Sequence, residues 1–151
     1  CCARHRGLAR VHVAVKGGSG WHGDHLSRTD AYVRVRYGAR EARTRTVWNN
    51  EHPHWAAVLD LGTVVLVPGA TLAVEVWDED NQWDDDLLGT CKEPLVAEAG
   101  GERNVVCFPG AGRLEFGIRV ACGPALGGPY CHDYVPQPPG ARQGGSDWPT
   151  D

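Results

Sequence analysis

The clearest pattern in the chain is a short-range alternation of apolar and other residues. Val11, Val13 and Val15 are separated by single polar or small residues, and residues 71–77 repeat this arrangement. A period of two puts successive side chains on opposite faces of an extended strand, so these runs predict strands with one buried face. Along the whole chain we predict eight strands, over Leu8–Lys16, Asp30–Tyr37, Arg40–Val47, Trp55–Leu61, Thr71–Trp77, Leu87–Lys92, Arg103–Phe108 and Arg113–Ala121.

The gaps between these runs carry glycine and proline, as in Gly17-Gly18, Pro68-Gly69 and Pro109-Gly110. Such residues end strands and form tight turns. The chain has almost no helix signal, and many short strands joined by Gly/Pro turns are typical of layered β proteins. We therefore predict an all-β fold, an eight-stranded antiparallel sandwich.

Composition and length support one folded domain followed by a tail. The chain has 151 residues, of which 42% are hydrophobic and 23% charged, enough for a sizeable core. The last 29 residues hold six of the ten prolines and six glycines. We predict a domain over residues 1–122 and a Pro/Gly-rich tail over residues 123–151. Because the chain lacks methionine and opens on two cysteines, we expect it to be part of a longer protein.

Charge and hydropathy exclude two classes of function. The net charge is −4 and no basic run dominates, so we expect no nucleic-acid partner. No stretch approaches the roughly 20 consecutive apolar residues of a membrane-spanning helix.

The cysteines predict disulfides and a secretory route. None of the six lies in a C-x-x-C zinc pattern, and an even number in such a domain is typical of secreted proteins. Six cysteines allow fifteen pairings, of which local closure favours Cys91–Cys107 and Cys122–Cys131. The alternative is six buried thiols in a cytosolic protein.

The most unusual segment is the acidic run from Asp78 to Asp86. It reads D-E-D-N-Q-W-D-D-D and contains no lysine or arginine. Two carboxylates about 4 Å apart repel by roughly 4 kcal/mol at an effective dielectric constant of 20. A folded segment of this composition needs a cation, shifted pKa values or full solvation, and the tryptophan at position 83 adds an apolar group among the charges.

Strand order predicts which connections meet. If successive strands run antiparallel, the first, third and fifth connections fall at the same end of the fold. These are residues 17–29, which carry Asp24 and lead into Asp30, residues 48–54, which carry Asn49 and Asn50, and the acidic run. Oxygen-bearing side chains that are distant in sequence are therefore expected to converge.

Calcium is the cation that suits this group. Ca²⁺ takes 6–8 oxygen ligands, whereas Mg²⁺ keeps its waters and avoids cages built entirely from protein. An EF-hand is excluded, because Trp83 and Gly89 stand where that motif requires Gly and Glu. The alternative is that the acidic run is a solvated surface patch.

Two motifs carry a resemblance to a known family. G-D-H-L-S-R-T-D-A-Y-V-R-V (Gly23–Val35) and V-W-D-E-D-N-Q-W-D-D-D-L-L-G (Val76–Gly89) resemble the calcium-binding segments of C2 domains. More narrowly, these motifs and the cysteine spacing resemble the C-terminal C2 domains of the perforin family of pore-forming proteins. The resemblance covers roughly residues 1–135 and implies a C2 sandwich of type II topology.

The resemblance also implies a ligand set and a cofactor. It implies binding of Ca²⁺, two or more ions, by Asp24, Asp30, Asp78, Asp80 and Asp86, assisted by Asn49, Asp85 and the carbonyl group of Gly23. It implies that the two predicted local disulfides form, and that Cys1 and Cys2 bond to an upstream module.

Membrane contact is implied at the same end. Trp83 matches an aromatic residue of the family, whereas the first-connection tryptophan is shifted to Trp21, beside His22. His25 and Asn81 stand where tyrosines are often seen, so insertion is expected to be shallow.

The implied function is Ca²⁺-dependent docking on a phospholipid membrane, which places an upstream pore-forming domain on its target. The implied location is a secretory granule and then the extracellular target membrane. One alternative is a C2 domain that binds proteins and has a vestigial calcium site. A Ca²⁺-dependent hydrolase is disfavoured because no G-x-S-x-G nucleophile motif is present, so we predict that the chain is not an enzyme.

Three further groups of residues lead to predictions. The histidines of the first and third connections, His22, His25, His52 and His54, could oppose Ca²⁺ when protonated below about pH 6.5, or could simply be solvated. The arginines 34, 36, 40, 43 and 45 form either a basic groove for acidic lipid or a solvated face. Three tryptophans beside strands, Trp48, Trp55 and Trp77, are predicted to lie in the core.

Overall fold

The computed structural model describes residues 8–21, 29–80, 84–96 and 101–122, and it forms two packed sheets. Eight strands occur in the predicted order: β1 Leu8–Ser19, β2 Ala31–Tyr37, β3 Arg40–Arg43, β4 His54–Val65, β5 Thr71–Asp78, β6 Asp86–Pro94, β7 Arg103–Cys107 and β8 Arg113–Cys122. Sheet A has the order β4-β1-β8-β7 and sheet B the order β3-β2-β5-β6. All strand pairs are antiparallel. The predicted eight-stranded sandwich is confirmed.

The core lies between the sheets and is built by the alternation visible in the sequence. Val11, Val13 and Val15 of β1 are at most 1% exposed, as are Val74 and Val76 of β5. Their sequence neighbours point outward, which is the consequence of the two-residue period of a strand.

Two predicted strands have different bounds. β3 ends at Arg43 because the Thr44 hydroxyl accepts the hydrogen bond of the Val33 amide at 3.0 Å, which interrupts the ladder. The chain then returns to β2 only in an isolated bridge between Val47 and Ala31. β4 continues past its predicted end because a bulge, with Gly62 at φ +74°, lets pairing with β1 resume.

The sandwich has two distinct ends. The described ends of four connections, which run between β1 and β2, β3 and β4, β5 and β6, and β7 and β8, lie at one end, which we call the tip. At the opposite end Leu8 pairs with Val65 and Ala9 pairs with Cys122. The first and last strand residues of the fold therefore both lie at the end away from the tip.

The edges of the two sheets are joined by a disulfide between β6 and β7. The Cys91–Cys107 bond is present, with a Cα–Cα distance of 6.5 Å, and confirms one predicted pairing. The other predicted pairing involves Cys131, which lies outside the described residues, as does the predicted tail.

Candidate functional site

The first, third and fifth connections meet at the tip, as strand order predicts. The Asp30 amide donates to Asp78 Oδ1 at 2.9 Å, and Asp30 Oδ1 accepts from the Asn49 amide at 2.5 Å. Two backbone bonds, Asn50 N to Thr29 O and Glu79 N to Asp30 O, complete the link at 3.0 and 2.8 Å. Asp30 thus ties together three segments that are far apart in sequence.

The acidic run is held in a defined shape by one of its own carboxylates. Asp85 Oδ1 accepts from the Asp80 amide at 3.0 Å, and Asp85 Oδ2 accepts from the Tyr32 hydroxyl at 2.6 Å. These two hydrogen bonds lower the pKa of Asp85 below its ordinary value. Burial and the same bond raise the pKa of Tyr32 to about 12. Asp85 therefore closes the acidic connection onto β2.

The remaining acidic side chains divide into two groups. Glu79 faces Arg43, 3.5 Å away, and accepts a hydrogen bond from Thr46. Asp80 and Asp86 are exposed, and Asp78 pairs with Asp86 across the β5–β6 ladder. The exposed carboxylates of Asp80 and Asp86 therefore add negative charge to the tip.

The described donors suit a hard divalent ion in chemistry but do not by themselves enclose one. Carboxylate oxygens of Asp30, Asp78, Asp80 and Asp86, with the side chain of Asn49, are the ligand type that Ca²⁺ prefers. Within the described ranges, no three His, Cys, Asp or Glu side chains gather as a metal site. Two predicted ligands, Asp24 and Gly23, lie outside those ranges.

Trp21 requires a correction. It was predicted to contact membrane, but its side chain is 2% exposed and its indole donates to the Pro109 carbonyl at 2.9 Å. Glycines make this possible: a Cβ on Gly112 would lie 2.2 Å from the indole, and one on Gly18 2.4 Å. Trp21 is a core residue that anchors the start of the first connection.

The other predicted membrane contacts, His22, His25, Asn81 and Trp83, lie outside the described residues. Sequence reasoning instead missed exposed apolar groups at the tip. Trp48, predicted to lie in the core, is 50% exposed, Leu87 is 50% exposed and Phe108 is 71% exposed. The signal for Phe108 was available, since strand order also places the seventh connection at this end.

Three arginines of the predicted cluster, Arg34, Arg36 and Arg43, contact carboxylates on the outer face of sheet B. Arg34 and Arg36 both contact the buried Glu75, at 3.2 and 2.7 Å. Arg34 also lies over the Trp77 ring, 5.0 Å from its centroid. Trp77 is thus only partly buried, on the outer face, whereas Trp55 is in the core as predicted.

The neighbouring part of this face follows the same pattern. The Arg43 guanidinium lies 3.5 Å from the centroid of the Tyr32 ring. Tyr32 in turn stacks on Trp77 with 6.5 Å between ring centroids. Arg34, Arg36 and Arg43 are therefore each held by a ring or a carboxylate. The described residues contain no helix long and apolar enough to cross a membrane.

The fold and the tip define the class of protein. The chain belongs to the C2 domain family, whose model matches residues 9–109. A solved C2 domain covers 74% of this chain with a TM-score of 0.63 and 25% identity, and the match covers 97% of that structure. Extended synaptotagmin 2 gives a TM-score of 0.67 over 76% of the chain and 41% of that structure, and at 22% identity supports the fold alone.

Within this family the chain is similar to perforin-1. It is 46% identical to perforin-1 of Homo sapiens and 44% identical to perforin-1 of Rattus norvegicus, over 149 residues and 95% of the chain in each case. The chain spans about a quarter, 26%, of the length of these relatives. The resemblance seen in the sequence motifs is confirmed.

Proposed function

We propose that this chain is a Ca²⁺-dependent module that binds phospholipid membranes through its tip. C2 domains as a family bind membranes, and Ca²⁺ is their usual ion. The observation that carries the proposal is the interlocking of three connections through Asp30, Asn49 and Asp78. It holds oxygen donors at one exposed end, and the proposed set gains Asp24 and the Gly23 carbonyl from the first connection.

The mechanism follows from the charge at this end. Without a cation, the carboxylates of the tip repel anionic headgroups, because charges of the same sign repel each other. Bound Ca²⁺ would neutralise them and offer coordination positions to lipid phosphate. In this arrangement Asp85 positions the acidic connection through Tyr32 and Asp80, in addition to any contact with the ion.

The likeness to perforin-1 supports a wider role. We infer that the module anchors and orients an upstream pore-forming domain on a target membrane, and that it acts after secretion. The extracellular class of calcium sites binds at roughly 10⁻⁴–10⁻³ M, so release from a store would switch binding on. The chain itself is proposed to be non-catalytic, with a phospholipid surface as its partner.

The test is sedimentation of the chain with phosphatidylcholine–phosphatidylserine vesicles, with Ca²⁺ or with a chelator. Asp78→Asn removes one charge but keeps an oxygen that can accept from the Asp30 amide. We expect the wild type to pellet with vesicles in a Ca²⁺-dependent way. The variant should need a roughly tenfold higher Ca²⁺ concentration for the same pelleting. The matched control is Glu41→Gln, an exposed carboxylate on β3 away from the tip, which should behave as wild type.

A second candidate function is a protein-binding C2 domain with a vestigial calcium site. The observation in its favour is that the described carboxylates alone do not gather as a metal site. Pelleting that is absent, or unchanged by chelator in both wild type and Asp78→Asn, would support this candidate and contradict the first.

A further inference from the structure

Phe108 is the most exposed large apolar side chain in the described part of the fold. It is 71% exposed, whereas the other phenylalanine of the chain, Phe116, is fully buried. A single exposed apolar residue needs no explanation. Phe108, however, shares its end of the molecule with two others, Trp48 and Leu87, each 50% exposed.

Strand register fixes the height of Phe108. Cys107 pairs with Leu114, and Leu114 pairs with Gly18. Phe108 follows Cys107 and therefore lies about level with Ser19, the last residue of β1. It stands at the rim of the tip, on the side of the edge strands β6 and β7.

The turn that carries Phe108 is held from two sides. Gly112 N donates to Pro109 O at 3.2 Å, and the buried Trp21 indole donates to the same oxygen. On the other side, a Cβ on Gly89 would lie 2.3 Å from the Pro109 carbonyl carbon, so the two backbones are in contact. The disulfide at Cys107 adds a covalent tie. Phe108 is therefore displayed on a braced turn.

We propose that the seventh connection, residues 108–112, is a further membrane contact, in which Phe108 enters the headgroup region of a phospholipid bilayer. This rests on the proposed function. The bilayer is favoured as the occupant because the surface is continuous with the acidic tip and because exposed Arg113 follows the turn. An aromatic ring with a neighbouring cation is suited to the boundary between acyl chains and phosphate groups.

The position of this contact predicts an orientation. The acidic connection and Phe108 both adjoin the β6–β7 side of the sandwich, since β6 begins at Asp86 and β7 ends at Cys107. We expect this edge to lie close to the bilayer in the docked domain, together with Trp48 of the third connection.

The test compares Phe108→Ala, Phe108→Leu and Val67→Ala in flotation with phosphatidylcholine–phosphatidylserine vesicles at saturating Ca²⁺. Val67 is a matched control because it is 53% exposed at the end away from the tip. We expect Phe108→Ala to bind about tenfold more weakly, Phe108→Leu to lie between it and wild type, and Val67→Ala to be unchanged. Thermal melting should be the same for all, because both side chains are exposed.

The outcomes separate this inference from the proposed function. If wild type binds in a Ca²⁺-dependent way and Phe108→Ala binds equally well, the proposed contact at Phe108 is wrong and the proposed function stands. Absence of Ca²⁺-dependent binding in the wild type contradicts both. If Phe108→Ala lowers vesicle binding by the same factor with chelator as with Ca²⁺, Phe108 contributes to Ca²⁺-independent adhesion. That result would also contradict the inference.

Discussion

At the residue scale, Glu75 is the one carboxylate that is buried within the described ranges, and its charge is compensated there. It is 4% exposed and receives hydrogen bonds from Arg34, Arg36 and Trp77. Burial raises its pKa, but the three donors outweigh burial, so the net pKa lies below the ordinary value of 4.5. A buried carboxylate that loses its charge would leave two arginines partly unpaired.

Glu75→Gln is predicted to lower the free energy of unfolding by about 2 kcal/mol at neutral pH. Because the folded pKa is depressed, ionised Glu75 stabilises the protein above pH 4.5, and this stabilisation is lost as pH falls through the lower folded value. The difference between wild type and variant should therefore shrink in urea unfolding at about pH 3.5 compared with about pH 7. An equal difference at both pH values would contradict the prediction, and Glu41→Gln serves as the exposed control.

At the element scale, the disulfide between β6 and β7 joins the open edges of the two sheets. Cys91 and Cys107 are 16 residues apart in sequence, and the connection they enclose includes residues outside the described ranges. The bond therefore restrains both edge strands and, through Cys107, the turn that presents Phe108.

Replacing both Cys91 and Cys107 with alanine is predicted to lower the free energy of unfolding by about 3 kcal/mol, the value expected when a loop of roughly 15 residues is no longer closed. Chemical denaturation with and without a reducing agent measures this. The wild type should lose a comparable amount on reduction, and the double variant should lose much less. Equal stability of wild type and double variant in the absence of reductant would refute the prediction.

The elements also show how far sequence reasoning reaches. Alternation and turn residues together identified all eight strands, most clearly β1 and β5, in which one face is buried on the core, whereas β3 has no buried residue. It could not place the end of β3, which depends on the Thr44 hydroxyl replacing a backbone acceptor, or the continuation of β4 through the bulge at Gly62. Trp21 was misplaced because its slot is made by Gly18 and Gly112, which are 94 residues apart.

At the scale of the whole molecule, the two ends of the sandwich differ in chemistry. The tip carries Asp30, Asp78, Asp80 and Asp86, and the opposite end carries the first and last strand residues. Strand order alone predicted the convergence of the first, third and fifth connections. The internal bonds of Asp85 and Glu79 could not be predicted, because they depend on the facing side chains of Tyr32 and Arg43.

Ca²⁺ is predicted to stabilise the whole fold without any membrane. A ligand at 100 times its dissociation constant adds about 2.7 kcal/mol to the free energy of unfolding, which for a chain of this size raises the melting temperature by roughly 5–10 °C. Calorimetry with Ca²⁺ should show this shift in the wild type, a much smaller one in Asp78→Asn, and a smaller one with Mg²⁺. The same shift in wild type and Asp78→Asn would place the ion elsewhere.

The strand ends at Leu8 and Cys122 lie at the end of the sandwich opposite the tip, and this has a mechanical consequence. β1 alone contains 12 residues, which at about 3.3 Å each span roughly 40 Å. A polypeptide joined at Leu8 or Cys122 would be held about the length of β1 away from a membrane bound at the tip. Because of this distance, a small change in the tilt angle of the domain on the membrane would displace the attached polypeptide sideways by a large amount. The tilt angle would therefore determine which part of the membrane the attached polypeptide can reach.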